Sequence, residues 1–73
     1  MLYLYAVVLG GKMSGGRLGE DHETVFVTAE DEEQARANAR AKWSGPNKKG
    51  LHVDALVCVD SVDGYAVRLD PID

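Results

Sequence analysis

Cysteine is nearly missing from this sequence, and its scarcity excludes a whole class of small domain. Cys58 is the single cysteine in 73 residues, so no disulfide closes within the chain and a stapled secreted scaffold is ruled out. The cytoplasm, a reducing compartment, is the expected setting. Long apolar runs are missing too: the apolar opening, residues 1–9, has no basic lead-in and falls far short of the ~20 residues of a membrane helix. It reads as a strand, and no membrane association is expected. Positive charge is in deficit, with 8 Lys and Arg against 12 Asp and Glu and a net charge of −4. A phosphate-backbone binder carries the opposite balance, so nucleic acid is not an expected partner. No Cys-x-x-Cys or His-x-His spacing supports a metal site. In the glycine-rich stretch Met13 follows Lys12, where a phosphate loop needs Ser or Thr. The expected inventory of metals and cofactors is therefore none.

What is present is ordinary globular composition, 45% hydrophobic and 27% charged, in a chain short enough for one domain spanning residues 1–73. Residues 2–9 are apolar at both alternations and stop at Gly10-Gly11, which predicts a strand buried on both faces. Residues 10–21 hold five glycines and form a long loop. Residues 22–28 alternate around Val25 and Val27, giving a second strand. Thr28, with Asp31 three residues later, predicts the cap of a helix over 29–43, whose inner stripe is Glu32, Ala35, Ala39 and Trp43 and which Gly45-Pro46 ends. Residues 51–59 and 65–69 complete the strands. The predicted fold class is therefore α+β with ββαββ order. A helix between the second and third strands makes them parallel, and the short connections make their neighbours antiparallel. The reading is a four-stranded, mainly antiparallel sheet of order 2-1-3-4, a split βαβ unit with one helix on one face.

Strand directions bring the unusual residues to one edge of that sheet. The glycine loop leaves the first strand there, His22 and His52 open the two descending strands, and the helix finishes there at Trp43. On the third strand Leu51, Val53, Ala55, Val57 and Val59 alternate toward the helix, leaving His52 and Asp54 on the other side with Leu56 and Cys58. A ligand site at this edge would use Gly11, His22, Trp43, His52 and Asp54. A His–Asp pair two apart can orient an imidazole, but the same pair also serves as a local structural hydrogen bond. Trp43 is most simply a plug for the space beside a small-residue helix face, and Cys58 a buried small hydrophobe. Lys12, Arg17, Lys48 and Lys49 suit an anion, whereas the helix C-terminus and an aromatic face suit a cation or neutral ligand.

Gly10-Gly11, Asp21-His22, Val25-Phe26-Val27, Trp43, Leu51-His52-Val53-Asp54 and Val62-Asp63-Gly64-Tyr65, in this order and spacing, resemble a bacterial domain-of-unknown-function family, number 1543. The resemblance implies a bacterial domain and a fold, with no reaction attached. The family pattern has aspartate after the first histidine, and this chain has Glu23.

No complete catalytic set is present, so no catalytic residue is assigned, and the sequence favours a small non-catalytic binding or assembly module over an enzyme. One helix covers one face of the sheet, which leaves Phe26, Leu56 and Cys58 wet in a monomer. A homodimer through the open sheet face is expected. The alternative is a small-molecule sensor or small enzyme using His22, His52 and Asp54.

Overall fold

The computed structural model describes residues 1–14 and 18–72. Part of the glycine loop, Gly15, Gly16 and the candidate anion-binding Arg17, lies outside the described residues. The elements are β1 (Tyr3–Gly11), β2 (Asp21–Ala29), α1 (Glu32–Ala41), β3 (His52–Cys58), β4 (Ser61–Val62) and β5 (Tyr65–Ala66). No helix among the described residues is long and apolar enough to cross a membrane.

The α+β class and the first three strands follow the expectation: β2 and β3 both pair antiparallel with a central β1, in the order β2-β1-β3. The fourth strand does not join them. Tyr65–Ala66 folds back on Ser61–Val62 as a separate two-stranded ribbon. The reason is local turn chemistry. Asp63 and Gly64 take φ of 53° and 85°, the left-handed pair of a two-residue hairpin turn, so Tyr65 lands beside Val62 rather than beside β3.

One face of the sheet carries Tyr5, Val7, Leu9, Val27 and Ala29, all buried with Ala35, Ala39, Trp43 and Leu51. The alanine face lets α1 lie close to the strands, and Trp43 fills the volume beyond the helix end. A Cβ at Gly11 would meet the Trp43 ring at 3.0 Å, so the strand can touch the indole only because glycine stands there. The indole N–H donates to the Asn47 carbonyl at 3.1 Å, which satisfies the one polar atom of a buried Trp.

The helix is shorter than predicted at both ends. Thr28 stays in the β2 ladder opposite Leu4, and Asp31 is the N-cap, its Oδ1 accepting from the Gln34 amide at 2.8 Å. Gln34 reaches back to accept from the Glu30 amide at 2.7 Å. At the other end Lys42 and Trp43 donate to the carbonyls of Ala39 and Arg40, a tightened last turn that stops the helix before Gly45-Pro46. Glu32 is exposed, contrary to its predicted inward place, and pairs with Arg36 at 3.8 Å in the acidic first turn. Asn38 and Lys42 donate to the carbonyls of Thr28 and Phe26, so the helix also blunts the free edge of β2.

The other face is uncovered. Leu4, Ala6 and Val8 are half-buried there, so β1 is not buried on both faces as its composition predicts. Cys58 is exposed, as expected of a sheet with too little cover, rather than packed as a small hydrophobe, but it pairs opposite Tyr5 on the helix side, where it is the last residue of β3.

The cap assignment is open to a direct test. Asp31→Ala should lower unfolding free energy by about 1 kcal/mol, and Thr28→Ala should fall within roughly ±0.5 kcal/mol. Urea denaturation of both variants reads the difference, and the reverse order would place the cap at Thr28.

Candidate functional site

Gly10 sits in β1 with His22 opposite it on β2 and His52 opposite it on β3. All three lie on the open face, so two imidazoles flank a position that has no side chain of its own. On β3 the register slips between Val8 and Leu9, because Val8 pairs with Ala55 while Leu9 pairs with Val53. Asp54 is the residue left over, a β-bulge. The bulge reverses the alternation beyond it. Val53 packs on the core as expected. Beyond the bulge Leu56 packs on the core while Ala55 and Val57 turn to the open face, the reverse of their expected arrangement.

Four side chains meet over Gly10. His22 Nε2 lies 3.0 Å from Asp54 Oδ2 and 3.5 Å from Glu20 Oε2. His52 Nε2 lies 2.9 Å from Asp54 Oδ1 and 3.4 Å from Glu20 Oε1. Each carboxylate thus shows one oxygen to each ring. A methyl group at Gly10 would approach Asp54 Oδ2 to 2.6 Å, His52 Nε2 to 2.8 Å and Glu20 Oε2 to 3.1 Å, so the cluster occupies the space that glycine leaves.

The second nitrogen of His52 fixes its tautomer. Nδ1 lies 2.9 Å from the Gly50 carbonyl oxygen, which only accepts, so Nδ1 carries a proton. Nε2 then faces two carboxylate oxygens, either as the second N–H of an imidazolium or as a lone pair aimed into the cluster. The Gly50 carbonyl, and after it the charges of Asp54 and Glu20, hold the His52 pKa above its ordinary 6.5, with partial desolvation acting the other way.

The residues expected to share one site divide between the two faces. His22, His52 and Asp54 come together on the open face. Gly11 and Trp43 lie on the helix face, in van der Waals contact with each other and inside the core. Glu20, just before β2, is the member that sequence reasoning missed, although its spacing from His22 mirrors that of Asp54 from His52. Glu23 pairs opposite Leu9 on the helix side and accepts from the amide and hydroxyl of Ser44. A cleft of about 710 Å³ lies at the far end of the sheet between Leu2, Leu4, Cys58 and the stretch from Val67 to Pro71. Its charged lining is Asp60 with the Arg68–Asp70 ion pair at 3.3 Å, and neither histidine lines it, so the two imidazoles and two carboxylates over Gly10 are the set suited to proton or metal chemistry.

A ββαβ core with a helix on one face and a histidine–carboxylate cluster on the other defines the class of this domain. The chain belongs to the family described as Domain of Unknown Function (DUF1543), whose model matches residues 17–69. The match takes in Glu20, His22, His52 and Asp54 and stops short of β1, which supplies Gly10. No curated protein matches the chain, and no solved structure does.

Because the folded pKa of His52 is raised, its protonation favours the folded state. That contribution is complete below the unfolded value of 6.5 and is lost as pH rises through the higher folded value. Titration of the His52 ring by NMR should give a midpoint above 6.5, and Asp54→Asn should lower it by removing one facing charge. Glu20 and the His22 ring are the other ionisable groups that face it. A wild-type midpoint at or below the ordinary value would contradict the geometry.

Proposed function

We propose that this domain is a non-catalytic binding and assembly module that works in the cytoplasm as a homodimer, with the apolar half of its open sheet face against a second copy. The observation that carries this reading is the state of that half. Phe26 and Val57 are 58% and 57% exposed on either side of Ala6, in a domain whose core counts nine of the described residues. A contiguous apolar patch of this kind on so small a domain marks a contact, and a core this size gains from a partner.

The hairpin of β4 and β5 supports the same occupant. It packs on no other strand or helix among the described residues, and it leaves Val62 and Tyr65 exposed. It also stretches the molecule. The radius of gyration is 13.9 Å, against about 11 Å for a compact domain of this length. A standard interface takes about 800 Å² per partner, roughly a seventh of the 5337 Å² surface. The open face and the hairpin, with Phe26, Val57, Val62 and Tyr65 exposed, are the apolar surfaces on one chain that a two-fold, self-complementary contact would use.

A second reading, a small-ligand sensor or small enzyme acting through His22, His52 and Asp54, is favoured by one observation, the convergence of those side chains with Glu20 over Gly10. The hydroxyl and thiol groups give it little nucleophilic help: Ser44 is bonded to Glu23 on the helix side, and Cys58 ends β3 at the far end from His52.

Light scattering at tens of micromolar should give the mass of a dimer. Phe26→Asp and Val57→Asp, which place a charge on side chains already exposed in one chain, should each give a folded monomer, and His22→Ala should leave the dimer intact. A monomeric wild-type protein would overturn the assembly reading.

A further inference from the structure

We infer that Glu20, His22 and Asp54 bind one first-row divalent cation of the Zn²⁺ type, and that His52 is the positioning residue that turns both carboxylates toward it. This inference goes beyond assembly and stands on other residues, at the opposite end of the open face from Phe26 and Val57.

The two oxygens of each carboxylate have different partners. Glu20 Oε2 and Asp54 Oδ2 lie 3.5 and 3.0 Å from His22 Nε2, and these three side chains place one donor atom each within 4.8 Å of one another. Bonds of about 2.0–2.1 Å to a tetrahedral ion put neighbouring donors about 3.3–3.4 Å apart, so both measured edges are close to those of a coordination shell. The remaining oxygens, Glu20 Oε1 and Asp54 Oδ1, face His52 Nε2 at 3.4 and 2.9 Å. His52 is itself anchored through Nδ1 to the Gly50 carbonyl. This is the outer layer of a metal site: a fixed ring orients the carboxylates whose inner oxygens meet the ion.

Backbone features serve the same arrangement. At Gly10 a Cβ would lie 2.6 and 3.1 Å from those same inner oxygens, Asp54 Oδ2 and Glu20 Oε2. A side chain at this place near the end of β1 would push the Asp54 carboxylate out and crowd that of Glu20. The bulge on β3 leaves Asp54 without a partner on β1, so its carboxylate lies over Gly10 while Val53 and Leu56 stay in the core.

Charge and donor type select the ion. Two carboxylates crowd together on a chain of net charge −4, which a divalent cation relieves. An imidazole donor turns preference from Mg²⁺ and Ca²⁺, which take oxygen, toward Zn²⁺ and its first-row neighbours. Three protein donors leave a coordination position open to water or a small ligand, and all three donor residues are solvent-accessible.

The test is titration of chelator-treated protein with ZnCl₂, followed by NMR and calorimetry. One equivalent per chain should saturate the shifts of both imidazoles and of the Gly10 amide, and the same concentration of MgCl₂ should leave them in place. Glu20→Gln, Asp54→Asn and Gly10→Ala should each weaken binding at least ~10-fold, and His52→Gln should weaken it about 10–100-fold. Glu20 precedes β2, so Glu20→Gln remains informative where a strand variant fails to fold. With Co²⁺, contact-shifted ring protons should come from His22 and not from His52; shifts from both rings would overturn the positioning role. Zn²⁺ binding unchanged in Glu20→Gln and Asp54→Asn, or shifts that map to Cys58 or to Asp31 and Glu33, would overturn the site itself. The mass of the metal-free protein reads assembly separately, so neither failure is mistaken for the other.

Discussion

One short helix has to serve a three-stranded sheet, and most of this structure follows from that shortage of cover. Ten residues of α1 rise about 15 Å, whereas the nine residues of β1 run about 30 Å. Apolar burial is the main source of folding free energy, and here it is confined to one side of the sheet. Fully buried Val7 and Leu9, with Ala29, Ala35 and Ala39, concentrate it where helix and strands are closest. Small residues make that closeness available, and Trp43 closes the gap past the helix end against Gly11. The indole is thus a structural consequence of the alanine face.

Glycine at two adjacent positions of β1 serves the two faces in turn. Strand alternation points Gly11 at the helix side, where the absent side chain admits the Trp43 ring. Gly10 points to the open side, where it admits two carboxylates and an imidazole. A Cβ at either place would meet atoms of a neighbour at 3.0 Å or less. Gly10-Gly11 thus couples the packing of the core to the geometry of the cluster across a single backbone.

Much of the fold was legible because it rests on periodicity and chain direction. The strand patterns of β1 and β2, the helix between parallel neighbours and the alanine stripe all follow from spacing in the sequence. The pairing of His52 with Asp54 follows from simple alternation as well. What was not legible depends on single backbone irregularities. An extra residue at Asp54 leaves no mark in an apolar strand, yet it exchanges the faces of Leu56 and Val57. The Asp63-Gly64 turn did carry a signal, and the hairpin it makes takes precedence over a fourth place in the sheet because its partners are adjacent in the chain. At the helix start, Asp31 displaced Thr28 since β1 holds Thr28 in its ladder. Gly11 and Trp43 were grouped with the histidines because strand direction fixes an edge, while only side-chain alternation decides the face.

The open face is consequently divided along its length. At the β3 C-terminal end it is apolar, with Ala6 between Phe26 and Val57; at the Gly10 end it is ionisable, with each of His22 and His52 against both Glu20 and Asp54. Hydrophobic contact favours exclusion of water, whereas charged groups taken out of water lose solvation that only close partners restore. In the proposed homodimer these opposite demands fit one surface, because the partner copy covers the apolar half and leaves the ionisable half at its rim. Such an arrangement removes the exposed apolar surface from water without desolvating the carboxylates. It also keeps the cluster at the edge of any dimer, where solvent and small ions reach it.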